Sequence, residues 1–175
     1  MYTMTATATH MRTDRRGARR PRILALGLGN LLLGDDGAGV HAVRRLNKAR
    51  LPGVLAVDAG TGVLDALHLI ERADCLLAVD ALRAGGAPGT LYALALDGVR
   101  DDGVRHSAHE LSLLAALRMA RRQPREIVVL GIEPGRIDFG EQLSQPVART
   151  LPRLVAAARR VIEGWRTGTL RLAAD

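Results

Sequence analysis

Five carboxylates in this chain stand just past short aliphatic runs, and that placement is the first sign of chemistry. Asp35 and Asp36 follow RILALGL by a short loop, Asp58 closes GVLAVDAG, Asp80 closes DCLLAVDA, and Glu133 closes EIVVLGI. In an open α/β sheet, ligands bind beyond the carboxyl ends of the parallel strands, which is where all five would stand. Carboxylates gathered there repel one another and are costly to desolvate, so their convergence requires protonation, basic partners or a cation. A cation is the simplest of the three. His109, at the start of a helical segment after the fourth strand, can reach the same edge. Two carboxylates and one imidazole leave coordination positions open and suit nickel or zinc better than calcium. Spacing alone leaves a plainer alternative standing, with Asp35 as a helix cap, Asp58 and Asp80 as turn formers, and His109 as a capping or partly buried polar residue.

The elements that must position these residues follow from periodicity. Residues 22–28 form an aliphatic run stopped by Gly29 and Asn30, the pattern of a strand buried on both faces. Val40, Val43 and Leu46 then recur at helical spacing opposite Arg44, Arg45 and Lys48, which predicts a surface helix packed on a sheet. A second strand ending at Asp58, a helix with Leu64, Leu67 and Ile70 along one side, and a third strand ending at Asp80 come next. Beyond the Gly/Pro-rich turn RAGGAPGT, the run TLYALAL is joined by so short a connection that it must run antiparallel, at or near an edge. Leu111, Leu114 and Leu117 mark a helix over 108–121, and residues 126–132 a fifth strand. The last helix carries an apolar stripe from Val147 to Trp165, with Ser144 as its N-cap; Pro152 inside the stripe predicts a break into two helical pieces. The fold class is therefore α/β, one three-layer sandwich with a mostly parallel, twisted five-stranded sheet, one antiparallel strand and helices on both faces. The expected boundaries are a folded domain over 22–167, a basic N-terminal extension over 1–21 and a tail over 168–175.

Composition narrows the function classes. The 175 residues are 47% hydrophobic but only 2% aromatic, so the core is aliphatic and no platform of rings exists for stacking bases. The formal charge of +7 invites a nucleic-acid reading, yet six arginines against Asp14 alone place five of those charges within residues 1–22. That segment has no periodic apolar face and reads as a disordered extension. The one cysteine, Cys75, cannot form an internal disulfide and lies in an apolar run, which fits a buried thiol in a cytoplasmic protein. No run approaches the roughly 18 apolar residues of a membrane span. The expectation is a monomer that binds neither nucleic acid nor membrane.

Several sharper motifs fail on inspection. GLGNLL begins like a dinucleotide fingerprint, but Leu32 stands at the third glycine position and two aspartates follow, where a pyrophosphate would be repelled. HELSL lacks the second histidine of a zinc-protease helix, since Leu113 occupies it. No GxSxG elbow occurs, and Cys75 has no base beside it in sequence. His106, three residues before His109, reads as an ordinary surface histidine, with a second ligand or proton donor as the alternative.

One resemblance covers almost the whole domain. GLGNLLLGDDGAGVHAVRRL, DAGTGVLDAL, DCLLAVDALRAGGAPGT, SAHELSLLAAL, VVLGIEP and LSQPV, in that order over residues 22 to about 165, resemble the hydrogenase maturation endopeptidases. The resemblance implies an aspartyl-type or metal-dependent endopeptidase of the cytoplasm. Such an enzyme removes the C-terminal extension of a nickel-iron hydrogenase large-subunit precursor after nickel insertion, with the inserted nickel as the recognition signal. A nickel-binding maturation chaperone or checkpoint protein that does not cleave is the alternative. Carried residue by residue, the family's metal-binding positions fall on Asp36, Asp80 and His109, which are also the candidates for catalysis. Other members have Glu at the first of these. Asp58, Gly60 and Thr61 match the family's loop after the second strand and are expected to shape the substrate cleft. The nickel would arrive with the precursor, and no organic cofactor is implied.

Overall fold

The computed structural model describes residues 22–96 and 108–170. The basic extension over 1–21, His106 and the end of the C-terminal tail lie outside the described residues. Five strands, β1 (Ile23–Leu28), β2 (Val54–Gly60), β3 (Cys75–Ala81), β4 (Leu91–Ala95) and β5 (Glu126–Ile132), form one sheet in the order β2-β1-β3-β5-β4. β1 pairs in parallel with β2 and β3, β3 pairs in parallel with β5, and β4 is antiparallel to β5 at the edge. The antiparallel edge strand is the one anticipated from its short connection.

Among the described residues four α-helices accompany the sheet: α1 (Ala38–Lys48), α2 (Leu67–Ile70), α3 (Ala108–Met119) and α4 (Gln145–Thr167). Strand side chains alternate between the two faces of the sheet. On one face Ala25, Leu77, Val79, Val128 and Leu130 pack with residues of α1 and α4. On the other Leu24, Leu26, Leu76, Ala78 and Val129 pack with α3 and the segment around α2. Both central strands, β1 and β3, are buried along their whole length, as their unbroken aliphatic runs require. Among the described residues no helix is long and apolar enough to cross a membrane.

Two expectations about helices are corrected. The segment after β2 opens as a 3-10 turn over Val63–Ala66, and only Leu67–Ile70 is α-helical. With three residues per 3-10 turn, Val63 and Ala66 share the buried side while Leu64 is turned outward and half exposed. The predicted stripe of Leu64, Leu67 and Ile70 is therefore shifted. α4, in turn, is one uninterrupted helix of 23 residues with Pro152 inside it, not two pieces. Pro152 sits on the exposed side, while Val147, Leu151, Leu154, Ala158, Ile162 and Trp165 stay buried. The missing N–H costs one intrahelical bond, and packing of the continuous stripe on the sheet outweighs it.

Candidate functional site

The turn between β1 and α1 carries both Asp35 and Asp36 in a short 3-10 segment, Gly34–Gly37, all four residues buried. Two glycines make so tight a turn possible. Gly29 has φ +118, and a Cβ there would overlap the backbone of Asp36; a Cβ on Gly39 would overlap the carbonyls of Val79 and Leu28. The first turn of α1 is thus pressed against the carboxyl ends of β1 and β3. Asp36 is 8% exposed, and its Oδ2 accepts from the Asn30 amide at 2.7 Å. Asn30 in turn accepts from the Leu32 amide through Oδ1 at 3.0 Å, an Asx turn that shapes the approach to the site.

Asp80 lies one residue beyond Val79, is 2% exposed, and accepts from the Ala81 amide at 2.8 Å. By alternation along β3 it shares the face of Leu76 and Ala78, the side on which α3 packs. α3 arrives from the opposite direction. Just past its C-terminus the Arg121 amide donates to Glu71 Oε1 at 2.8 Å, and Arg122 donates to the Ala73 carbonyl and to Asp74, all at the start of β3. At about 1.5 Å per residue, its 12 residues run back about 18 Å along the sheet. His109, the second residue of α3, therefore stands at the end of the helix away from the start of β3. The His109 side chain is not among the described groups. The described groups alone place no three of His, Cys, Asp and Glu around one point.

The other acids at this edge have different work. Asp35, fully buried, accepts from the amides of Gly135 and Arg136 on Oδ2 at 2.8 and 2.9 Å and from Ser144 on Oδ1 at 2.6 Å. It clamps the segment after β5 and the start of α4 onto the first turn. The capping role once open to it is replaced by this longer-range one. Ser144 does stand at the N-cap of α4, but it engages Asp35 through its amide and caps with no side-chain bond. Glu133 Oε2 accepts from Tyr92 Oη at 2.6 Å and from the amides of Ala84 and Gly86 at 2.9 and 3.2 Å. Burial works against its charged form, but those donors, with the Gly85 amide, hold its pKa below the usual glutamate range.

Asp58 faces the opposite side of the sheet from Asp80, because it shares the parity of Val54 and Ala56, which pack toward α1. There Arg44 of α1 holds its Oδ2 through Nε at 2.9 Å and Nη2 at 2.8 Å. The five acids thus divide by their partners: Asp35, Asp36 and Asp80 accept backbone amides, Glu133 accepts amides and a phenol, and Asp58 pairs with a guanidinium on the other face of the sheet. Gly60 turns the chain at φ +52 and its carbonyl accepts from the Gly29 amide at 3.0 Å, which sets Thr61 exposed beside the same turn. Cys75 lies buried at the far, amino end of β3, and burial pushes its thiol up to about 12, so it is inert.

A family model described as hydrogenase maturation protease matches residues 40–161 of this chain. The chain belongs to the hydrogenase maturation protease family. Among curated relatives, the hydrogenase expression/formation protein HoxM of Azotobacter vinelandii is 40% identical over 144 residues, which cover 75% of this chain and 67% of that one. HupM of Azotobacter chroococcum is 39% identical over 151 residues, covering 79% and 70%. The hydrogenase maturating endopeptidase HybD from E. coli shares the fold with a TM-score of 0.70 at 25% identity, over 84% of this chain and 94% of that one. The maturation protease HybD of Thermococcus kodakarensis gives 0.69 at 27%, over 81% and 99%. This protease is accordingly a peptide hydrolase. Asn30, Gly29 and Gly39 escaped the sequence reading as site residues; the signal for them was the NLLLGDDG spacing, in which an Asx turn precedes two acids.

Proposed function

We propose that this protease removes the C-terminal extension of a nickel-iron hydrogenase large-subunit precursor after nickel insertion, and that Asp36, Asp80 and His109 engage the nickel the precursor carries. The observation that carries the reading is positional. Asp36 is buried in the turn after β1, Asp80 is buried near the carboxyl end of β3 and faces the α3 side, and His109 is the second residue of α3. Two carboxylate oxygens and an imidazole nitrogen suit nickel, and ligands from three separate elements can close on an ion delivered from outside. Once the ion is seated, the bond to be cut is held where water can attack its carbonyl, with a carboxylate of the set as base. Gly60 and Thr61 border the cleft on the β2 side, while Asp58, on the other face, supports that loop through Arg44.

The test is a processing assay on nickel-loaded precursor, read by mass. Wild type shortens the large subunit by its C-terminal peptide, and nickel-free precursor stays whole. Asp36→Asn, Asp80→Asn and His109→Gln each slow cleavage by about two orders of magnitude or more while thermal unfolding is retained. Normal cleavage by all three variants would sink the residue assignment. Binding without any mass change in wild type would make the protein a non-cleaving checkpoint, and a stoichiometric metal ion in active enzyme purified without added metal would overturn delivery by the substrate.

A further inference from the structure

Single exposed apolar side chains are common, but neighbouring ones that form a patch beside a site mark a contact surface. Phe139 is the chain's one phenylalanine and is 88% exposed. The aromatic residues it might be compared with are tied down: Trp165 is buried with Nε1 donating to Glu126 at 2.8 Å, and Tyr92 donates to Glu133. Leu32, 50% exposed, lies across from Phe139, because the Gly140 amide donates to the Leu32 carbonyl at 2.8 Å and the Gly34 amide to the Gly140 carbonyl at 2.6 Å. Asp36 follows on the same turn, its amide donating to the Leu33 carbonyl at 3.3 Å. The exposed pair therefore belongs to the backbone that shapes the candidate site.

This lip is also held still. Asp35 pins residues 135, 136 and 144 on either side of it, and the Asp35 amide returns a bond to the Arg136 carbonyl at 3.1 Å. Arg136 pairs with Asp138 at 3.2 Å and forms a polar rim beside Phe139. A rigid apolar centre with a charged rim is the usual build of a protein-recognition hot spot, since little ordering cost remains to be met on binding.

We propose that Leu32 and Phe139 form a docking lip that seats an apolar side chain on the surface of the hydrogenase large-subunit precursor, beside the point where its nickel is received. The occupant is a protein surface because the substrate of a protease is a protein and the lip is continuous with the turn that carries Asp36. The inference rests on the function proposed above.

The experiment measures steady-state cleavage of nickel-loaded precursor by full-length wild type, Phe139→Ser, Phe139→Leu and Leu32→Ser. Phe139→Ser raises KM about tenfold with kcat retained, Phe139→Leu restores most of the loss, and Leu32→Ser shifts KM in the same direction. Thermal unfolding is unchanged, since a side chain so exposed contributes little to the core. Kinetics equal to wild type in both serine variants overturn the lip, as does a fall in kcat at constant KM. Sedimentation supplies the remaining alternative: a wild-type dimer that Phe139→Ser turns into monomer assigns the surface to a second copy and overturns the proposal. No cleavage by wild type itself defeats the underlying reading rather than the lip alone.

Discussion

The two ends of the sheet use the same kind of side chain for opposite purposes. At the amino end Asp74 accepts from Arg22 at its amide and Nε, at 2.9 and 3.2 Å, and from Arg122 Nη2 at 2.8 Å, with a quarter of its side chain still in water. Arg22 above all holds its carboxyl well below the usual range. At the carboxyl end Asp35 and Glu133 are buried and bound chiefly by backbone amides. Solvent screens the first arrangement, whereas in the second a buried acid gathers several loop amides that lose their common acceptor if it is removed. The carboxyl edge can thus keep two further acids, Asp36 and Asp80, in a fixed corner because their neighbours already secure the loops around them.

That contrast can be broken most sharply at Asp35. Asp35→Ala removes the acceptor of three loop amides, on Gly135, Arg136 and Ser144, and is expected to cost about 2–3 kcal/mol, read from urea unfolding. A cost under about 1 kcal/mol would mean the loops are held by something else. Glu133→Gln comes next at about 1–2 kcal/mol near neutral pH, since an amide oxygen accepts less strongly and its NH2 faces donors. Because the folded pKa of Glu133 is depressed, its contribution is present above the unfolded value of about 4.3 and is lost as pH falls through the lower folded value. The gap between wild type and Glu133→Gln should therefore close in acid, and a gap that widened below that pH would contradict the assignment. Smallest is Asp74→Asn, at about 1 kcal/mol or less and shrinking with salt. A larger effect there than at Asp35 would reverse the comparison.

Much of this was legible in the residues. Unbroken aliphatic runs gave β1, β3 and β5 because a strand covered on both faces needs no polar side, and the short link to β4 left only an antiparallel pairing. Helix α1 was plain from Val40, Val43 and Leu46, all buried as its period requires. The segment after β2 was less so, because apolar residues at 63, 64, 66, 67 and 70 fit a 3-10 start as well as an α-helix, and only contact with the sheet selects between them. Pro152 misled for a related reason: a local penalty is legible in sequence, while the packing that overrides it is spread over the whole length of α4.

For the site, the sequence by itself determined which groups stand at strand ends, and with them the acidic character of one edge. Tertiary structure decided how those acids divide. Asp35 meets its partners 100 to 109 residues away, and Glu133 meets Tyr92 and Ala84 from 41 and 49 residues away. Asp58 turns from Asp80 because a strand has two faces and each acid has its own parity. Spacing fixes where along a strand a carboxylate sits; only the elements packed above and below the sheet fix what donates to it.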